Sequence, residues 1–125
     1  MQATSSLTLR ALFKSAIARV GLDRPGAVTA GLSAAAKALA VVAHARAAPG
    51  VVLAVVPTDK DVEQMLVDAR FFWGAVEGAG EQAVERAVLP FPSHQVDPYR
   101  GMTPHFRVSA ARARALHGAA TGTAR

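Results

Sequence analysis

Pro49-Gly50-Val51-Val52-Leu53-Ala54-Val55-Val56-Pro57-Thr58 sets the expectation for everything around it. Six apolar residues, four of them valine, stand between two proline punctuation marks. A continuous β-branched run of this length is the pattern of a strand covered on both faces, and so of a parallel sheet. Upstream, Ala34 to about Ala48 is alanine-rich and apolar nearly all round, which predicts a largely buried helix stopped by Pro49-Gly50. Before it, Ala27-Val28-Thr29-Ala30 reads as a short strand and Gly31-Leu32-Ser33 as the turn into the helix. Strand, helix and strand then make a right-handed crossover.

Downstream, Thr58 is placed to cap a helix, with Asp61 as its capping-box partner. Val62, Met65, Leu66, Ala69, Phe72, Trp73 and Val76 give that helix one apolar stripe, read as core. A Gly78-Ala79-Gly80 turn and a polar stretch to Arg86 lead to Ala87-Val88-Leu89 and Phe91, a third short strand. The order βαβαβ predicts an α/β domain. Three strands are few for such a sheet, so residues 23–125 read as its front part, cut before the remaining strands. Residues 1–22 form a separate amino-terminal helix, capped by Ser5 or Ser6, striped by Leu9, Leu12, Phe13, Ala16, Ile17 and Val20, and ended by Gly21.

Between the third strand and the last helix lies a loop, Val88 to His105, with four of the seven prolines, the single tyrosine and two of the four histidines. Prolines at this density exclude a long helix or a central strand. Ser109 is expected to cap the last helix and Gly118 to end it, with no packing pattern in the seven residues that follow.

Hydrophobic residues make up 51% of the chain and charged residues 18%, a globular composition. No apolar run reaches the roughly 20 residues of a membrane span, and the amino terminus lacks the pattern of a secretory signal, so a cytoplasmic protein away from membranes is expected. The absence of cysteine excludes disulfides, thiolate catalysis and cysteine-ligated zinc. Residues 1–98 hold nine basic and nine acidic side chains, whereas residues 99–125 hold five arginines and no acid. Arg100, Arg107, Arg112 and Arg114 are therefore the candidates for nucleic-acid contact, weighed against an ordinary solvated helix face.

Gly31-Leu32-Ser33-Ala34-Ala35-Ala36-Lys37-Ala38 occupies the place of a phosphate-binding loop. Such a loop needs Gly before the lysine, to let backbone wrap the phosphates, and Ser or Thr after it to hold magnesium. Alanine stands at both positions, so Gly31 and Lys37 read as a vestigial anion contact. The histidines form no HxH or HxxxH pair, and no serine sits in a G-x-S-x-G elbow. No catalytic acid and base, and no metal ligand set, are expected.

The loop carries a resemblance. Phe91-Pro92-Ser93-His94-Gln95-Val96-Asp97-Pro98-Tyr99, then Met102-Thr103-Pro104-His105, then Val108-Ser109 and Arg112, resembles the amino-terminal domain of the bacterial transcription-repair coupling factor, which typically shows FP-x-W-[DE]-x-LPY, SPH and I-x-x-x-R. Gly31-Leu32 with Ala36-Lys37-Ala38, Val55-Val56-Pro57-Thr58 and Asp68-Ala69-Arg70-Phe71-Phe72 fall in the family's order. His94 replaces the usual tryptophan, Asp97 the leucine and Thr103 the serine. The resemblance implies an incomplete P-loop-NTPase-like (RecA-like) fold, similar to the excision nuclease B subunit, with a degenerate phosphate loop. It also implies a parent that is an ATP- and magnesium-dependent DNA translocase (helicase-type, ATP-hydrolysing), displacing stalled RNA polymerase and recruiting the excision-repair A subunit in nucleotide-excision repair. This chain itself is then a non-catalytic scaffold fragment without a cofactor, contacting the missing domains. The alternatives are a degenerate nucleotide-binding domain using Lys37 and a small DNA-binding module using the four arginines.

Overall fold

The computed structural model describes residues 8–26 and 28–125. The described chain runs through five α-helices: α1 (Leu9–Val20), α2 (Ala34–Ala47), α3 (Asp59–Glu77), α4 (Glu81–Ala87) and α5 (Phe106–Thr121), with a 3-10 turn at Pro98–Arg100. Among the described residues there is no β-strand, which overturns the expected α/β, RecA-like domain with its parallel sheet.

The central helices form where the sequence places them. Ser33 accepts the Ala36 N–H at 3.3 Å to start α2, and Thr58 accepts the Asp61 N–H at 3.2 Å to start α3. Gly78 ends α3 in the left-handed region, φ 67°, with the Arg10 guanidinium of α1 standing over it, where a cation complements the helix dipole. The α3 stripe is buried as read: Ala69 and Val76 are sealed and Met65, Phe72 and Trp73 pack beside them. Ala38 and Val42 of α2 close on Ala69, while Ala43 joins Ile17, Leu22 and Val76. Phe13 of α1 meets Phe72 edge-to-face, ring centroids 5.0 Å apart, and Phe71 at 6.1 Å. Arg46 and Glu77 pair across the α2–α3 surface.

The three expected strands fail for separate reasons. Ala27 lies outside the described residues, and the Val28 that follows it is 99% exposed with nothing to pair against. Val51–Val56 runs on without turn or bend, yet its backbone makes no hydrogen bond among the described residues. The Ala87–Phe91 stretch begins inside α4, a seven-residue helix that had read as an irregular polar stretch because only Val84 and Ala87 are buried on it. Beyond it, Pro90 and Pro92 have no N–H to give a ladder. The carbonyls of Ala87, Val88 and Pro92 already accept from the Arg125 N–H, Arg70 and Arg112.

The carboxyl-terminal helix is longer than expected. His105, not Ser109, caps it through Nδ1, accepting the Arg107 N–H at 3.3 Å. Ser5 and Ser6, the expected caps of α1, lie outside the described residues, and Thr8 caps that helix. Gly118 does not end α5 but lies inside it, where a Cβ would come within 2.7 Å of the Leu89 Cδ1 atom. The left-handed stop is Gly122, φ 70°. The last residues do pack: Ala124 is buried, and the Arg125 N–H donates to the Ala87 carbonyl at 2.9 Å.

Val76 is fully buried and Val55 is 85% exposed, so the two valines should respond differently to the same truncation. Val76→Ala is expected to cost about 2 kcal/mol and Val55→Ala less than about 0.5 kcal/mol. Urea unfolding of the two variants against the parent chain checks this, and equal losses would refute the packing described.

Candidate functional site

The proline loop is held by one carboxylate and one guanidinium. Asp59, in the first turn of α3, has its Oδ1 accepting the Ser93 N–H at 3.0 Å. Its Oδ2 accepts the Ser93 hydroxyl at 2.7 Å and the Gln95 amide at 3.3 Å. These donors, led by the Ser93 hydroxyl and then the Ser93 N–H, hold the Asp59 carboxyl below its ordinary value. Gln95 takes a left-handed conformation, φ 58°, unusual for a residue with a side chain, and its amide contact with Asp59 helps hold it there. On the other side, Arg112 of α5 lies 3.8 Å above the Phe91 ring and donates to the Pro92 carbonyl at 2.6 Å.

Beside this clasp runs an open apolar groove of about 670 Å³. Val42 and Ala45 of α2 and Met65, Ala69 and Trp73 of α3 line it, together with Val52–Val56 and Val88–Pro92. The Trp73 and Met65 side chains, read from the sequence as core, thus sit in the core and also face the groove.

The sequence candidates occupy other places. Gly31 is left-handed, φ 74°, and leads to Ser33, whose hydroxyl already takes the Ala36 N–H at the start of α2. Lys37 is exposed on the next turn, and Ala38, where a magnesium-holding hydroxyl belongs, is fully buried against α3. These residues do not fit ATP and magnesium: the donor set lacks the hydroxyl, and the buried methyl leaves no place for one. Among the described residues no three His, Asp or Glu side chains gather as a metal site.

The four arginines have separate partners. Arg112 is committed to Phe91 and Pro92. Arg114 points to the Glu85 carbonyl at 3.5 Å, Arg100 pairs with Asp97 at 3.4 Å, and Arg107 stands 6.0 Å from the Phe106 ring centroid. Sequence reasoning missed Asp59 as a site residue, because a carboxylate in a first helical turn is explained by the helix dipole alone. Its partners are 34 and 36 residues away, and no local spacing reveals them.

No helix among the described residues is long and apolar enough to cross a membrane. No family model, curated protein or solved structure matches the chain. The likeness to the coupling factor therefore rests on its spaced motifs.

Two outcomes follow from the clasp. Arg112→Ala removes a stacked cation and a hydrogen bond, and is expected to cost about 1–2 kcal/mol and to raise hydrogen exchange across residues 88–105. Arg112→Lys should not restore the parent protection, since an ammonium cannot reproduce the planar stack. Separately, the Asp59 carboxyl titrates lower in the folded chain than in the unfolded one, so its contribution is complete above the unfolded value, about 3.9, and is lost as pH falls through the lower folded value. Asp59→Asn should flatten the dependence of the Ser93 and Gln95 amide signals on pH below about 4; an unchanged profile would show that Asp59 is not the group responsible.

Proposed function

We propose that this chain is a non-catalytic scaffold, the amino-terminal part of a transcription-repair coupling factor, acting in the cytoplasm. One observation carries the reading: several residues of the family-like series hold the chain together, although Tyr99 and Met102 stand exposed. Phe91, Pro92 and Arg112 form one contact, Ser93 is tied to Asp59, and His105 caps α5. Side chains used in this way anchor a surface and leave no group poised over a substrate. The groove between the helices and the proline segment is then the working feature, as a surface for other polypeptide. ATP hydrolysis, DNA translocation and the contacts with RNA polymerase and the excision-repair A subunit belong, on this proposal, to further domains of the parent.

The rival reading, a nucleotide-binding domain acting through Lys37, is weakened by the buried Ala38. Millimolar ATP with magnesium is expected to leave the melting temperature of the chain unchanged. A stabilisation that disappears in Lys37→Ala would overturn the scaffold reading in favour of nucleotide binding. Reading the gene beyond the Arg125 codon supplies a second check: helicase motifs are expected in frame, and their absence before a stop would remove the coupling-factor assignment.

A further inference from the structure

We infer that the groove is a docking site for an extended, uncharged, β-branched segment of a partner polypeptide, which adds as a strand beside Val51–Val56; this rests on the scaffold reading above. Val52–Val56 forms one wall, without proline, and the peptide groups of Val51–Val56 make no hydrogen bond among the described residues. The wall's two ends dip toward the helices and its middle, Leu53 to Val55, stands exposed along the groove. Val52 and Val56 are half-buried toward the helices, while Leu53 is 75% and Val55 85% exposed. The opposite wall is a poorer edge on the side of residues 88, 90 and 92, because Pro90 and Pro92 lack N–H groups and the Val88 and Pro92 carbonyls are taken by Arg70 and Arg112.

The unpaired backbone decides the occupant. A helix or a small apolar molecule laid in the groove would cover Val42, Ala45, Met65, Ala69 and Trp73. It would also bury the free peptide groups of Val51–Val56 without partners, at about 1–3 kcal/mol each. An added strand covers the same floor and pairs those groups, the mode of recognition in which backbone supplies affinity and alternate side chains supply selectivity. Six residues at about 3.3 Å each make an edge of about 20 Å, so the matching segment is five or six residues long. Asp59 and Arg112 already bond within the chain, Arg125 is the third charged residue on the groove, and the other lining side chains are apolar or carry a hydroxyl, so the occupant's central residues are taken as uncharged.

Trp73, the single tryptophan of the chain, lines the groove and reports its occupancy by fluorescence. The probe is a blocked peptide, Lys-Lys-Val-Thr-Val-Thr-Val-Lys-Lys, titrated into the full chain. A saturable change at one peptide per chain is expected, weakened at least tenfold when alternate valines of the peptide are N-methylated along one edge. Successive N–H groups of a strand point to opposite edges, so of Leu53→Pro and Ala54→Pro one should weaken binding tenfold and the other should not. Equal effects of the two, equal affinity of the N-methylated peptide, or absence of saturable binding would each overturn the proposal. So would tighter binding of a helix-forming Ala/Leu/Glu/Lys peptide, or a dimer of the chain in sedimentation equilibrium that the peptide cannot dissociate. None of these results alters the response to nucleotide, so a failure here is distinguishable from a failure of the scaffold reading.

Discussion

Ala38, Val42 and Ala43 of α2 close against Ala69 and Val76 of α3, and most of the fold is held through that pair. The α2 side of the contact is made of small residues, which lets the two helices approach and leaves little room for adjustment. α1 joins it through Ile17 and the Phe13 ring. The segment after α4 joins it through Val88 and the Arg70 hydrogen bond, and α5 is held in turn by that segment through Arg112 and the close approach of Gly118 to Leu89. The molecule is thus a chain of dependencies, with α5 farthest from the core.

That hierarchy explains why the proline loop is built as it is. A segment with little buried area of its own needs fixed backbone and strong local partners to hold one conformation. Prolines restrict φ before folding begins, which lowers the entropy lost on ordering. Asp59 then takes three donors from two loop residues, and Arg112 holds the adjoining ring and carbonyl. The carboxylate and the guanidinium grip opposite sides of the Phe91–Ser93 corner, from α3 and α5 respectively. These bonds fix the position of the loop, and the apolar groove beside it stays open.

Much of the helical architecture was legible in local sequence. The Thr58 cap, the stripe from Val62 to Val76, the extent of α2 and the stop at Gly21 all follow from patterns a few residues long, and the structure reproduces them, although α2 buries one face, Ala38, Val42, Ala43 and Ala45, and not most of its surface. α4 was not legible, since seven residues with two buried positions carry almost no periodic signal. Gly118 misled because a glycine packed closely against a neighbouring side chain looks, in sequence, the same as one that stops a helix. The role of Asp59 was hidden for a related reason: its local surroundings already explain a carboxylate there.

Sequence alone determined the extents of α2 and α3, the apolar stripe that α3 turns inward, and that Val51–Val56 has the composition of a strand. It did not determine that a strand forms. A helix completes its hydrogen bonds within itself, so a local pattern suffices. A strand completes them only with a neighbour, and among the described residues Val51–Val56 has none. Tertiary structure therefore decided between sheet and open groove, because only the spatial arrangement of distant segments settles whether a peptide group finds its partner.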